Sequence, residues 1–264
     1  MKMHSMPSSL GRKNANTSVF SVSILLLFLA LVSVSCRRHP DLGTMKSAGG
    51  GADVRVSYAV SRPKDMDSSL LPGILAVPVM HQRRQDVFTT VDEIWSAEIM
   101  AGHCVVICPS SGADVPIFGN YRGIVGFGFN FDVREFFRNV LRETPVLNRK
   151  FNIVEFGLGG TSAFYLASNA PEYVEKVILI PSAGLDLDEL VVGGDRAFPK
   201  VVVITSFEDD SSFEESESRL QQLGVDISIV RVNCRPMHSG GKDVLIEYLP
   251  HVMNEVIPSN IVAP

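Results

Sequence analysis

Between Phe151 and Ala167 the chain reads Phe-Asn-Ile-Val-Glu-Phe-Gly-Leu-Gly-Gly-Thr-Ser-Ala-Phe-Tyr-Leu-Ala. A short, mostly apolar run of strand length leads into glycines at 157, 159 and 160, and small and apolar residues at helical spacing follow. Glycines in that place let the backbone turn sharply from strand to helix through positive φ. Two chemistries use such a turn. One holds phosphate on the backbone N–H groups of a helix N-terminus. The other lifts a nucleophilic side chain above the end of a sheet, on the pattern G-x-S-x-G.

The rest of the chain decides which context the turn has. Val54–Val60 alternates with period two, as a half-buried strand at a sheet edge does. Ile74–Met80 is a near-continuous apolar run, expected for a strand covered on both faces. Phe88, Val91, Ile94, Trp95 and Ile99 predict a helix ending at Gly102, and 104–108 a second buried strand. Val133, Phe136, Phe137, Val140 and Leu141 mark an amphipathic helix capped by Asp132 or Asn130. After the central turn come strands over 176–180, 201–205 and 227–232, with a weaker acidic helix over 213–223 between the last two. Val244, Leu245, Tyr248, Leu249, Val252, Met253 and Val256 share one face of a final helix. Strands alternating with helices in this way specify an α/β domain, a mostly parallel central sheet with helices on both faces. The stretch from Pro109 to Asn130 lacks periodicity. It interleaves Gly119, Gly123, Gly126 and Gly128 with Tyr121, Phe127 and Phe129, as a loop covering a cleft or an irregular loop tip would.

As a dinucleotide fingerprint the turn fails on context. Ser162 stands at the third small position, several strand–helix units precede the motif, and the next strand ends Ile180-Pro181-Ser182 without a ribose-binding acid. The runs 152–161 and 170–180 resemble instead the nucleophile elbow and following helix–strand of the α/β-hydrolase family. Within that family they are most similar to the small dienelactone-hydrolase-like and esterase-like members without a large lid domain. The resemblance covers roughly Val54 to Ile257 and implies an α/β-hydrolase fold. It puts the family's oxyanion loop at Met80-His81-Gln82, with His81, Gln82 and Leu158 as oxyanion candidates. Its catalytic acid falls at Asp209, flanked by Glu208 and Asp210, and its catalytic histidine at His238 in Arg235-Pro236-Met237-His238-Ser239-Gly240.

The nucleophile is missing from this series. Gly157 occupies its position, Glu155 replaces the first glycine of the motif, and Ser162 lies one turn into the helix. In a triad system, loss of the nucleophile costs on the order of 10⁶ in turnover. The elbow residue sits in a strained conformation worth ~1–3 kcal/mol, so glycine relieves strain once the hydroxyl is dispensable. Glu155 is expected to crowd a spot the family keeps open. His238 and Asp209 then read as a remnant triad in a domain that binds a ligand or partner without catalysis. The alternative is an active serine-type ester hydrolase using another nucleophile, with Ser110, Ser111 and Ser182 as candidates at strand ends. A third reading is purely structural, with the cleft collapsed.

The first 35 residues form a separate organisational unit. They carry Lys2, Arg12 and Lys13 and no acid, then an apolar run from Val19 to Val34, short for a membrane span and typical of a secretory signal. Val32-Ser33-Val34-Ser35-Cys36 resembles a bacterial lipobox, with Ser33 where the pattern usually has Leu. That resemblance implies a lipid-bearing Cys36, palmitate included, and attachment to a membrane of the cell envelope on its periplasmic or surface side. An ordinary signal peptide cleaved nearby, giving a secreted chain, or an uncleaved anchor remain open. The expected organisation is a signal at 1–35, a lipid-anchored tether at 36–52 and the hydrolase-like domain at 53–264. Without residues 1–35 the chain has 21 basic residues against 29 acidic ones, a net charge of −8, which argues against nucleic acid as a partner. The expected partners are the membrane, through Cys36, and a small acyl or other small-molecule ligand. Cys104 and Cys108 lie roughly 13 Å apart along a strand, too far for a disulfide. No metal-ligand spacing is present, and no cofactor or metal is expected.

Overall fold

The computed structural model describes residues 41–49, 55–77, 91–109, 132–157, 160–182, 200–208, 213–239 and 242–257, with a few single residues between 184 and 199. Eight strands form one sheet in the order β1-β2-β4-β3-β5-β6-β7-β8. They are β1 (Asp41–Gly49), β2 (Arg55–Arg62), β3 (Gly73–Val77), β4 (Val105–Pro109), β5 (Phe151–Gly157), β6 (Val174–Pro181), β7 (Lys200–Ser206) and β8 (Ile227–Val232). Strands β3 to β8 are mutually parallel, while β2 is antiparallel to both β1 and β4. The helices are α1 (Ser96–Met100), α2 (Val133–Glu143), α3 (Thr161–Asn169), α4 (Glu214–Gln222) and α5 (Lys242–Val256).

Burial follows from the sequence pattern. Every residue of β3 and β4 is buried, as a strand covered on both faces requires. One face of the sheet packs against α2 and α3 through Phe136, Phe137, Val140, Phe164 and Ala167. The other packs against α1, the turn before it and α5 through Ile99, Trp95, Val244, Tyr248 and Val252. Phe137 lies at the centre of the first core, its ring 5.8 Å from that of Phe151 and 5.7 Å from that of Tyr173, both stacked. Asp132 caps α2 by accepting from the N–H of Glu135 at 2.9 Å, which settles the choice between Asp132 and Asn130. All seven residues assigned to the buried face of the last helix are buried in α5, despite Pro250 inside it.

Three expectations need correction. Asp41–Gly49, within the stretch read as a polar tether, is the edge strand β1, paired to β2 from Asp41↔Arg62 to Gly49↔Arg55. It is held there by main-chain pairing and by Lys46, whose Nζ donates to the Glu143 carbonyl and to Thr144 Oγ1 at the end of α2. Consequently β2 is an interior strand, not an edge. Its Tyr58 is fully buried against Phe136, a position an edge strand facing solvent would not give. Finally, the helix expected to end at Gly102 begins with a π turn, Val91–Trp95, before α1; Phe88 lies outside the described residues.

Register decides where a site can form. Gly157 on β5 is level with Pro181 on β6, Leu179 with Val203 on β7, and Ser206 with Val232 on β8. The carboxyl ends of these four strands therefore share one edge of the sheet, where open α/β sheets hold their ligands.

Candidate functional site

Gly157, the last residue of β5, has φ +88°, and Gly160, which precedes α3, has φ +98°. Both are left-handed positions that favour glycine, but for different further reasons. A β-carbon on Gly160 would meet the Phe164 ring at 2.6 Å and Leu179 at 2.9 Å. A β-carbon on Gly157 would meet none of the described residues within 4 Å. The apex of the turn is thus strained for a side chain, and among the described residues nothing crowds it. Leu158 and Gly159 between them lie outside the described residues.

Glu155 does not crowd an open spot, as its place in the motif suggested. The side chain is 1% exposed and lies under the start of α3. Its Oε1 accepts from the N–H of Gly160 at 3.0 Å and its Oε2 from the N–H of Ala163 at 2.7 Å. The first N–H groups of a helix have no partner within it, and a negative charge there also interacts favourably with the helix dipole. A glutamate from the preceding strand supplies both. Gly160 itself brings no capping side chain, so the carboxylate does the capping from five residues upstream.

Ser182 follows β6 and is half-buried beside the apex. Its Oγ donates to the Gly157 carbonyl at 2.7 Å. A carbonyl oxygen is no base, so this bond orients the hydroxyl without activating it. Ser162 is 1% exposed within α3 and offers no nucleophile to the edge of the sheet.

The loop carrying His238 is pinned from two sides. Ser206 at the end of β7 donates its Oγ to the Cys234 carbonyl at 2.9 Å and accepts from the N–H of Glu208 at 3.2 Å, joining the acid-bearing loop to the histidine-bearing one. From α5, Glu247 accepts from the main-chain N–H of Arg235 at 3.0 Å and from its guanidinium at 2.7 Å. These bonds, the main-chain one foremost, hold the Glu247 carboxyl below the usual range. Tyr248 donates its hydroxyl to the Arg235 carbonyl at 2.9 Å. His238 then sits on a short 3-10 turn, Met237–Ser239, exposed and beyond the carboxyl end of β8. Glu208 is also exposed. Asp209, Asp210, His81, Gln82, Ser110, Ser111 and Cys36 all lie outside the described residues.

At the same edge Phe207, directly after β7, exposes 59% of its surface. β7 is two strands from β5, so it stands roughly 10 Å across the sheet from the Gly157 apex. The edge thus combines a glycine apex, one exposed aromatic ring, an exposed imidazole and a hydroxyl bonded to the apex carbonyl. Among the described residues this set contains no nucleophile aligned with a base.

Cys104 and Cys108 are buried and free, and burial raises both thiols, Cys108 to about 12. Cys234 is half-buried, raised by burial and then by Glu247. Among the described residues no group of three or more His, Cys, Asp or Glu is placed to hold a metal ion.

The sequence pointed to Gly157, Ser182 and His238 but missed the bond from Ser182 to Gly157 and the roles of Glu155 and Ser206. Glu155 had a signal: a glutamate inside a buried strand must find partners, and the nearest unpaired donors are those of the helix it precedes. Ser206 had none, because a serine ending a strand says nothing of the loop it will meet.

No protein-family model matches the chain, and no curated protein matches it. Solved structures do. An esterase from Pyrobaculum calidifontis aligns with TM-score 0.52 at 15% identity over 94% of this chain and 96% of that one. The esterase Est22, solved with p-nitrophenol, aligns with TM-score 0.57 at 10% identity over 93% and 90%. A bacterial heroin esterase aligns with TM-score 0.52 at 12% identity over 92% and 91%. At these identities the likeness concerns architecture: the chain has the α/β-hydrolase fold.

Proposed function

We propose that this chain is a cell-envelope lipoprotein, anchored through lipid on Cys36, whose α/β-hydrolase-fold domain binds a small acyl-type or similar ligand without hydrolysing it. One observation carries the non-catalytic reading: the apex of the elbow is Gly157, at φ +88° and with no side chain to act as nucleophile. Acyl transfer needs a nucleophile there, a histidine to take its proton and an oxyanion site. Ser182 does not replace the missing group, because its hydroxyl proton is committed to the Gly157 carbonyl. The pinned loop around Arg235 supports retained binding over a collapsed cleft, since its bonds to Ser206, Glu247 and Tyr248 serve to hold His238 in a fixed place.

Hydrolysis of short p-nitrophenyl esters tests this reading in the wild type and in Gly157→Ser. The wild type is expected at background and Gly157→Ser above it, with the gain lost again on His238→Ala. Wild-type turnover abolished by a serine-directed inhibitor would overturn the non-catalytic reading in favour of another nucleophile. Ligand binding has a built-in reporter. Trp95, the chain's single tryptophan, lies 6.5 Å ring to ring from Phe156, the residue before the apex. Short-chain acyl amides, which resist hydrolysis, should change its fluorescence saturably in the wild type.

A further inference from the structure

The position of β1 fixes how an anchored chain would sit on its membrane. Only residues 37–40 separate Cys36 from Asp41, the first residue of β1. Fully extended, that stretch reaches at most about 18 Å. A domain of this size is on the order of 40 Å across. The tether is therefore too short to bring the far side of the domain to the bilayer.

Asp41 is opposite Arg62 at the end of β2, and β2 runs antiparallel to β4 with Ser61 opposite Val106. The start of β1 consequently lies at the amino ends of the parallel strands, opposite the edge that holds Gly157, Phe207 and His238. At this same end the large apolar side chains break the usual pattern. Met66 is 48% exposed, Leu70 67% and Met100 58%, half of the six large apolar residues exposed among the described residues. All three lie at the amino ends of the strands. Met66 and Leu70 are on the segment that leads into β3, and the Met66 sulfur lies over Gly102, two residues beyond Met100, where a β-carbon would come within 2.7 Å of it. Arg62, Lys64, Asp65 and Asp67 lie on the same segment of chain as Met66 and Leu70.

From the tether length and this patch we propose that the amino ends of the strands, with Met66, Leu70 and Met100, rest on the lipid bilayer, and that the Gly157 edge faces away from it. The proposal rests on lipid attachment at Cys36. It assigns the occupant of the patch as a bilayer surface, because β1, the first strand after Cys36, starts at the same end of the sheet. With β5 rising about 3.3 Å per residue, the ligand edge stands more than 20 Å from the membrane and is open to molecules in the aqueous phase.

The test uses the full-length protein recovered from cell membranes and reconstituted in phosphatidylcholine vesicles. Intact mass of the wild type and of Cys36→Ser first establishes whether Cys36 carries lipid. In a Cys234→Ser background, an environment-sensitive fluorophore is then placed on Leu70→Cys, on Met100→Cys and, at the opposite end, on Phe207→Cys. Nitroxide-labelled lipid should quench the labels at 70 and 100 at least twofold more than the label at 207. An unlipidated Cys36 overturns the anchored reading and this proposal together. A lipidated chain whose labels at 70 and 100 are quenched no more than that at 207 overturns the orientation alone.

Discussion

Replacing Glu155 tests the most unusual feature of the elbow. Its carboxylate is 1% exposed and accepts from two main-chain N–H groups, at 3.0 Å from Gly160 and 2.7 Å from Ala163. In Glu155→Gln the amide keeps one acceptor but turns its NH₂ toward the second N–H, which is left without a partner. An unsatisfied buried donor costs about 1–3 kcal/mol, and loss of the charge at the helix N-terminus adds about 0.3–1 kcal/mol. Glu155→Gln should therefore destabilise the domain by about 1–4 kcal/mol. Glu155→Ala abandons both donors and leaves a void, and should cost about 3–5 kcal/mol, comparable to breaking a buried charged pair. Urea unfolding followed by Trp95 fluorescence reads both values, and the slope of free energy against urea should not change. The two variants should rank Ala below Gln. A Glu155→Gln protein within 0.5 kcal/mol of the wild type would refute the capping argument.

Four further outcomes follow from the geometry. Gly157→Ala should cost about 1–3 kcal/mol from backbone strain alone. Gly160→Ala should cost more, about 2–6 kcal/mol, because it adds a clash with Phe164 and Leu179 to the same strain; equal values in urea unfolding would contradict that difference. Cys104 and Cys108 should resist dithionitrobenzoate at pH 8 in the native protein and react fully in denaturant, as peptide mapping will show; rapid native modification of either would refute their burial. Burial, and then Glu143, raise the Tyr58 phenol above its ordinary value, so the stability tied to its neutral form is complete below pH ~10 and is lost as pH rises beyond that. Tyr58→Phe should accordingly lose less stability than the wild type between pH 9 and 11, measured as the shift in urea midpoint.

Much of the fold was legible because it rests on burial patterns. The apolar runs of β3 and β4 and the single face of α5 leave few other ways to remove those side chains from water. β1 escaped because its sequence, Asp-Leu-Gly-Thr-Met-Lys-Ser-Ala-Gly, has no alternation and two glycines; main-chain pairing to β2 makes it a strand, and pairing leaves no mark in composition. Its presence is also what turned β2 from an edge into an interior strand. At the site, a glycine where strand meets helix announces positive φ, and Gly157 has it. The role of Glu155 was misread because the motif gives the residue's place along the chain and not the direction in which its carboxylate points. The bond from Ser206 to the Cys234 carbonyl joins residues 28 apart, and only the folded sheet brings them together.

The central claim is that the elbow has no nucleophile, and labelling with a fluorophosphonate probe addresses it most directly. Intact mass spectrometry after incubation should show no adduct on the wild type, and one adduct on Gly157→Ser that maps to position 157. A stoichiometric adduct on the wild type, mapped to Ser182, Ser110, Ser111 or any other serine, would contradict the account.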